Sequence, residues 1–378
     1  MKFTARIPAS FLLFAFLSAI YFFTMSSWIQ YGDEQEKYLV AQSIAERGDF
    51  SIRSTAMNNK IGIDQRTYST YELGQSLFEL PFYILGKVVY SVFPTPDPNQ
   101  ITQLFVGLLN PLLIAGVGLV LFQIALELGF QSRTSLILAL VLGLATILWP
   151  YSSGYTREPL LTFLILLSVF FLFRFGQTSR PRWLFAAATC IGVLIFTKFL
   201  QVILLPAIVL YILLCIRNSL TLSSPPANTW TWGKVLGLFF LPAIFFLVLQ
   251  SLYSWSRFGS PFNVAGTRID TYSYYLALVL QALPLEMASR LFFSLDKSVF
   301  LYSPPIFLMP VAWAYWVASK RREAFLVLGI VLSTIAIALV RPDGDGGTWW
   351  GSRYLVQIIP LTIIPLIVVS VPAAVDPA

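Results

Sequence analysis

The sequence contains no histidine, only two cysteines and few charged residues. Asp, Glu, Lys and Arg make up 11% of its 378 residues, whereas soluble domains contain about 25%. The absence of histidine excludes histidine-based catalytic triads and histidine metal ligands. Cys190 and Cys215 both lie in apolar runs. We therefore interpret them as small core residues and not as a disulfide framework.

Long apolar runs occupy most of the chain. Hydrophobic residues make up 57% of it, and the mean hydropathy is +0.74. Runs of this kind indicate membrane-spanning helices and exclude a soluble enzyme. The formal charge is +7, from 25 Lys and Arg against 18 Asp and Glu. No basic patch with interleaved aromatic residues is present, so we predict no nucleic-acid partner and attribute the positive charge to contact with lipid phosphate.

The hydropathy pattern predicts an all-α, polytopic transmembrane bundle of about ten spans, folded as a single domain over residues 1–378. The first apolar run, 7–29, is too long for the hydrophobic region of a signal peptide, so we expect an uncleaved span. The other predicted spans are 101–126, 134–150, 159–175, 183–197, 199–216, 235–256, 300–318, 324–340 and 354–372. The chain ends just past the last of them, which is consistent with a truncated C-terminus.

Residues 30–100 interrupt the pattern of spans. Helical spacing predicts one amphipathic helix over 34–47 and a second over 74–93. The second is apolar, but Glu79, Pro81 and Lys87 fall where a bilayer core would lie. We therefore predict juxtamembrane helices in the membrane interface.

Clusters of basic residues predict the orientation. Arg174–Arg182 and Lys320–Arg322 mark the cytoplasmic side. Residues 30–100 are then the first extracytoplasmic loop, and residues 217–234 are a cytoplasmic linker.

Acidic and basic residues stand at the predicted outer ends of the spans. Asp33 and Glu36 have the spacing of a capping box at the start of helix 34–47. Glu158 precedes a proline at a predicted helix start, where a carboxylate is favoured. Lys198 lies between two apolar runs and either snorkels or meets an anionic lipid headgroup.

The segment 343–354 combines two aspartates, two tryptophans and an arginine. Asp343 and Asp345 lack the spacing of a calcium loop, so a turn is predicted. The tryptophans are typical of an interfacial belt, whereas Arg353 at the mouth of a span is a candidate binding residue. Because the span centres carry almost no charge, the sequence favours chemistry at the outer surface over transport.

Several segments resemble the GT-C superfamily of integral-membrane glycosyltransferases, in the branch of protein O-mannosyltransferases and lipid A aminoarabinose transferases. They are GDEQEKYLVAQSIAERGDF (32–50), YSTYELGQSLFELPFYILGK (68–87) and GGTWWGSRYLVQIIP (346–360), with YTREPLLTF (155–163) and LYSPPIFLMP (301–310) in the family's order. The resemblance covers nearly the whole chain, and the order of the motifs carries it more than any single one.

The resemblance implies an inverting glycosyltransferase in the plasma membrane, the inner membrane of a bacterium. It would move a sugar from a polyprenyl-phosphate donor to an acceptor hydroxyl at the extracytoplasmic face. Carried over, Asp33 is the base with Glu34 beside it, and Glu158 is a second acidic residue of the cavity. In that family the tyrosine after the acidic pair comes one residue earlier than Tyr38 does here, so Glu34 or Glu36 is an alternative base.

The resemblance also implies the substrate contacts. Lys198, Arg353 and Arg157 are the candidates for the donor phosphate. The residues predicted to contact the acceptor or the sugar are Tyr38, Tyr71, Trp350 and Tyr302. A lipid-phosphate leaving group requires no cofactor, and a divalent Mg²⁺ or Mn²⁺ beside Asp33 is left open. The partners implied are the donor, the bilayer and an acceptor glycan, lipid or protein.

Two other functions compete with this interpretation. A transporter or flippase of lipid-linked sugars would need polar groups through the bundle, and the sequence has few. A catalytically inactive scaffold in a cell-envelope complex is less favoured, because both Asp33 and Glu158 are present.

Overall fold

The computed structural model describes residues 8–29, 32–53, 59–221, 232–261, 285–319, 321–341, 344 and 346–369. These residues are helical almost throughout, which confirms the all-α class. The α-helices, in chain order, are α1 (Ala9–Thr24), α2 (Asp33–Arg47), α3 (Gly74–Val92), α4 (Pro98–Gly107), α5 (Leu109–Glu127), α6 (Ser132–Leu144), α7 (Leu148–Ser153), α8 (Glu158–Thr178), α9 (Pro181–Thr197), α10 (Leu205–Thr221), α11 (Trp232–Phe258), α12 (Leu285–Phe293), α13 (Val299–Tyr302), α14 (Met309–Ser319), α15 (Arg321–Val340) and α16 (Ile359–Val369).

Apolar helices of the described chain match the predicted spans one for one. Five are long and apolar enough to cross a membrane: Pro98–Glu127, Glu158–Thr178, Phe199–Arg217, Gly237–Phe258 and Arg321–Val340. Five shorter ones are Ala9–Thr24, Ser132–Leu144, Pro181–Thr197, Pro304–Ala318 and Arg353–Leu366. The protein is therefore a multi-pass helical membrane protein, while the count of ten crossings stays a prediction.

Three predicted spans begin with a 3₁₀ helix instead of an α-helix. These segments are Phe199–Leu204, Pro304–Leu308 and Arg353–Ile358. Each is followed by an α-helix whose second residue is proline, namely Pro206, Pro310 and Pro360. A proline has no N–H to donate and its ring clashes with the carbonyl four residues earlier, so the α-helix cannot extend upstream. The tighter 3₁₀ turn fills the gap.

The centre of the bundle is formed by α5 and α8. In the most apolar stretch of each, 67% of the residues are buried, against 33% in α11. Helix α8 packs on α5, α9 and the last 3₁₀ helix. The N-terminus of α8, with Arg157 and Glu158, is therefore held among several elements.

The first loop forms both of the predicted helices and a short ribbon that was not predicted. Strands β1 (Asn59–Ile61) and β2 (Thr67–Ser69) pair antiparallel between α2 and α3.

The predicted capping box is wrong. The residue that caps α2 is Gly32, at φ 119°, and Asp33 is the first helical residue without a capping hydrogen bond. Asp33 is therefore available for other contacts.

Some predictions concern residues outside the described ranges. The turn at Asp343 and Asp345, most of the linker 217–234 and the basic residue Lys320 lie outside the described residues.

Candidate active site

One end of the bundle buries a cluster of charged side chains. They come from the start of α2, the turn before α8, the end of α9 and the start of the last 3₁₀ helix. Glu34, Glu158 and Arg353 are only 3%, 1% and 7% exposed. Charges buried to this degree must be paired or must bind an ionic ligand.

Arg353 joins two carboxylates that lie far apart in the sequence. Its Nη2 donates to Glu34 Oε1 at 2.8 Å, and its Nε donates to Glu158 Oε1 at 2.9 Å. Lys37 Nζ binds the other oxygen of Glu34 at 2.5 Å. Both oxygens of Glu34 are thus engaged by cations, and the first loop is tied to the bundle through an ionic network.

A second ion pair lies beside the first. Arg157 Nη1 donates to Glu72 Oε2 at 3.2 Å, and the backbone N–H of Phe199 donates to Glu72 Oε1 at 3.0 Å. Glu72 therefore fixes both Arg157 and the chain immediately after Lys198.

Lys198 takes part in none of these ion pairs. It is 5% exposed, and no carboxylate of the described residues lies within ion-pair distance of its ammonium. Its Nζ lies 4.5 Å from the centre of the Tyr354 ring, which Arg341 contacts at 4.8 Å. Burial, and then the charge of Arg157, hold the pKa of Lys198 well below its ordinary value, and an anion beside it would stabilise its charged form.

Asp33 lies at the edge of the cluster and is partly exposed. Burial acts to raise the pKa of Asp33, but the hydrogen bond from the Tyr71 hydroxyl and the charges of Lys37, Arg353 and Arg157 outweigh it. Together they hold the pKa of Asp33 below its ordinary value. Asp33 is thus ionised at neutral pH.

Tyr71 supports the same corner of the site. Lys37 Nζ lies 5.0 Å and the Arg157 guanidinium 5.5 Å from the centre of the Tyr71 ring. These distances are within the range of cation–π contacts. Six of the predicted site residues therefore lie together, namely Asp33, Glu34, Glu158, Lys198, Arg353 and Arg157, with Tyr71 as a seventh.

Tyr38 is not part of this group. Its side chain is 2% exposed, its hydroxyl lies 2.6 Å from Thr102 Oγ1, and its ring packs edge-on against Tyr83. It joins α2 to α3 and α4, which is a packing role.

Trp350 and Tyr302 lie beside the cluster and contact each other. Their ring centres are 6.1 Å apart. Trp350 lines a cavity of about 320 Å³ together with Trp349 and Tyr151, and Tyr302 lines an adjoining one. The Trp349 ring lies 5.5 Å from the Arg353 guanidinium. The Trp349 ring therefore lies between this aromatic cavity and Arg353.

Sequence reasoning missed several buried charged residues. Lys37 and Glu72 stood inside the quoted segments, and the i, i+3 spacing of Glu34 and Lys37 was an available signal. The buried charged side chains at this end that were not predicted as site residues are Lys37, Glu72, Glu79 and Arg257. Only the fold shows that they are buried, because residues near the aqueous ends of spans are ordinarily solvated.

A divalent cation beside Asp33 stays a prediction, and most other carboxylates of the cluster are engaged by cationic side chains. Among the described residues, no three Asp, Glu or Cys side chains converge as metal ligands. Glu34, Glu158 and Glu72 are instead paired with Arg353, Lys37 and Arg157. The charge that a metal would supply at this site is present as lysine and arginine.

A family model described as dolichyl-phosphate-mannose-protein mannosyltransferase matches residues 102–248. The chain is also similar to the crystal structure of ArnT from Cupriavidus metallidurans bound to undecaprenyl phosphate, with a TM-score of 0.55 and 15% identity over 96% of this chain. The chain has the GT-C fold. The resemblance inferred from the ordered motifs is thereby confirmed.

A second GT-C structure gives the same result. The archaeal oligosaccharyltransferase AglB from Archaeoglobus fulgidus, in complex with an inhibitory peptide and a dolichol-phosphate, matches 94% of this chain with a TM-score of 0.53 and 10% identity. The chain spans 60% of that ArnT structure and 50% of AglB. No curated protein sequence matches. At these identities the likeness shows the fold, and the activity must be argued from the site.

Proposed function

We propose that this GT-C protein transfers a sugar from a polyprenyl-phosphate donor to an acceptor hydroxyl. The observation that carries the proposal is Lys198, a buried lysine that has no ion pair with a carboxylate among the described residues and lies within electrostatic range of Arg157 and Glu158. ArnT and AglB were each solved with a lipid phosphate bound, which supports a donor of this class.

Lys198, Arg157 and Arg353 hold the donor phosphate in this proposal. When the bond between the anomeric carbon and the phosphate oxygen breaks, the electron pair stays on the phosphate. The added negative charge is stabilised by cations that are already in place. Arg157 and Arg353 are oriented by their carboxylate partners Glu72, Glu34 and Glu158, so little reorganisation is required.

Asp33 is the general base of the transfer. The acceptor oxygen attacks the anomeric carbon from the side opposite the phosphate, the configuration inverts, and the hydroxyl proton passes to Asp33. The geometry favours Asp33 over the alternatives, because both oxygens of Glu34 bind cations and Glu36 is fully buried with one oxygen bound by Ser69. A carboxylate of low pKa is a weak base, so it takes the proton late, as the phosphate leaves.

The acceptor occupies the aromatic cavity. Trp350 lines it, Tyr302 lines the adjoining cavity, and Trp349 lies between it and Arg353, so an acceptor held there is near the proposed donor site. Tryptophan and tyrosine rings suit the apolar faces of a sugar or a lipid-linked acceptor. We place this end of the bundle on the extracytoplasmic face of a bacterial plasma membrane.

A flippase is the competing function. The described charged residues of the cluster stand at helix ends on one side of the bundle, and not along a path through it. This arrangement favours a transferase.

The test is an assay of purified protein in lipid nanodiscs with a panel of polyprenyl-phosphate-linked hexoses and pentoses. A transferase consumes one of these donors and releases polyprenyl phosphate when an acceptor is present. If no donor is consumed while the same donors cross vesicles containing the protein, the flippase is correct.

A further inference from the structure

Glu79 is a buried acid that the proposed chemistry does not use. It lies on α3 and is 0% exposed. No ion pair among the described residues includes Glu79. Its polar neighbours are uncharged, namely Gln75 one helical turn earlier and the buried Tyr155 hydroxyl. An ionised carboxylate in such surroundings carries a large desolvation cost.

The groups that face Glu79 come from two neighbouring elements. Helix α2 contributes Lys37, Glu34 and Tyr38, and the turn before α8 contributes Tyr155. Lys37 is the cation among them, and its ammonium is bound to Glu34 at 2.5 Å. Glu79 therefore has no cation of its own.

Glu79 is tied to the charged cluster through α2. Ser76, on the same helix as Glu79, donates a hydrogen bond to the Lys37 carbonyl at 2.9 Å. Lys37 binds Glu34, and Glu34 binds Arg353. A charge on Glu79 would thus act directly on the residue that begins this chain of ion pairs.

We propose that Glu79 is held neutral in the working protein, and that its neutrality reserves Lys37 for Glu34 and so keeps the site receptive to a phosphate. This inference rests on the proposed donor site. Ionised Glu79 competes with Glu34 for Lys37 and adds a negative charge behind the phosphate position. Both effects weaken the binding of an anion.

The direction of the pH dependence follows from burial. Burial raises the pKa of Glu79 to about 8, against the opposing influence of Tyr155, Lys37 and Gln75. Glu79 is therefore neutral at pH 7 and becomes charged above about pH 8. Phosphate affinity should fall in that alkaline range.

The experiment measures binding of undecaprenyl phosphate to the full chain in nanodiscs between about pH 6.5 and pH 9.5. We expect the wild-type affinity to fall by roughly tenfold across this range and the Glu79→Gln affinity to change by less than about threefold. Glu46→Gln is the matched control, since Glu46 is a partly exposed carboxylate on α2 paired with Lys87. It should behave as the wild type does.

The possible outcomes separate this inference from the proposed function. An equal alkaline loss in wild type and Glu79→Gln would overturn the inference, because the titrating group would lie elsewhere. Absence of binding by the wild type at every pH would instead count against the donor site.

A second measurement needs neither ligand nor variant. The infrared spectrum of the wild-type protein should contain a protonated-carboxyl stretch that disappears near pH 8. If the protonated-carboxyl stretch is absent at pH 7, Glu79 is not held neutral.

Discussion

Several residues at this site have more than one partner, and the number of partners determines what a substitution there can show. Arg353 binds Glu34 and Glu158 at once, so its removal would leave buried Glu158 without its ion-pair partner and Glu34 with Lys37 alone. Such a loss costs several kcal/mol of stability and would mask any effect on binding. The more informative substitutions are at Asp33, where an amide of the same size can replace the carboxylate, and at Lys198 and Glu79, which take part in no ion pair among the described residues.

Asp33→Asn tests the base. Asparagine keeps the size of the side chain and can still accept the Tyr71 hydrogen bond, but it cannot take a proton. We expect normal folding and donor binding, with the transfer rate lower by at least about 10²-fold. Single-turnover transfer measures the rate. Asp49→Asn, a surface carboxylate paired with Arg47, is the control, and transfer at wild-type rate by Asp33→Asn would move the base to Glu34 or Glu36.

Lys198→Met tests the phosphate site. The substitution breaks no ion pair among the described residues, so we expect stability to be retained. Donor binding should weaken by about 1.5–3 kcal/mol, the contribution of a charged hydrogen bond. That is roughly a 10- to 150-fold rise in the Kd for undecaprenyl phosphate. Lys87→Met, which loses only an exposed pair with Glu46, should bind normally, and unchanged affinity in Lys198→Met would remove Lys198 from the site.

The raised pKa of Glu79 also predicts that the stability of the protein depends on pH. Its pKa is about 8 in the fold against an ordinary value of 4.5. Between these values the folded protein keeps a proton that the unfolded chain releases, so stability falls by about 1.4 kcal/mol per pH unit. Glu79→Gln removes this loss. Thermal unfolding should therefore show an advantage of the variant that grows from pH 5 to pH 8, and a constant difference would contradict the prediction.

At the scale of elements, the site is assembled where helices end. The second residue of α10, α14 and α16 is a proline. It prevents each α-helix from extending towards the N-terminus, and a 3₁₀ helix precedes it instead. Two of these turns begin directly at the site, after Lys198 and with Arg353. The same local chemistry that interrupts the spans thus fixes where the cations stand.

Gly74→Ala tests how closely α3 packs against the end of α9. A Cβ at Gly74 would lie 2.4 Å from Thr197 Oγ1 and 2.7 Å from the Thr197 Cα, so α3 would have to move away from the end of α9. We expect a destabilisation of about 1–3 kcal/mol and weaker donor binding, because Glu72 and Lys198 adjoin this contact. Gly237→Ala, where nothing lies within 4 Å, is the control. Full stability and binding in Gly74→Ala would show that α3 and α9 are not packed this closely.

At the scale of the whole molecule, helix direction places the charged groups on two sides. The Arg174–Glu127 pair joins the C-terminal ends of α8 and α5, away from Glu158 at the N-terminus of α8. The proposed orientation puts the Glu158 end outside the cell.

Cysteine labelling checks this orientation. In a background with Cys190 and Cys215 replaced by serine, an impermeant reagent should label Asp64→Cys on intact cells and Thr178→Cys only after lysis. Asp64 is on the first loop, and Thr178 ends α8. The opposite pattern would reverse the orientation, and with it the proposed location of the site.

Much of the fold could be predicted from sequence, since hydropathy depends on local composition. The apolar runs located every apolar helix, and the amphipathic spacing located α2 and α3. The cap at Asp33 was predicted wrongly. The Asp33–Glu36 spacing fits a capping box, but in the structure Gly32 is the cap residue and Asp33 is the first residue of the helix. The ribbon of β1 and β2 was missed because strands of three residues leave too little periodicity to detect.

The sequence by itself determined a histidine-free, helical membrane protein with acids and bases at the ends of its spans, and the order of its motifs determined the GT-C resemblance. Only the tertiary structure decided which charges meet. Arg353 reaches Glu34 across 319 positions and Glu158 across 195, and Glu72 reaches the backbone of Phe199 across 127. The structure also decided which buried ionisable groups form no ion pair among the described residues, Lys198 and Glu79 among them. Burial and pairing depend on packing between distant segments, and no local pattern encodes them.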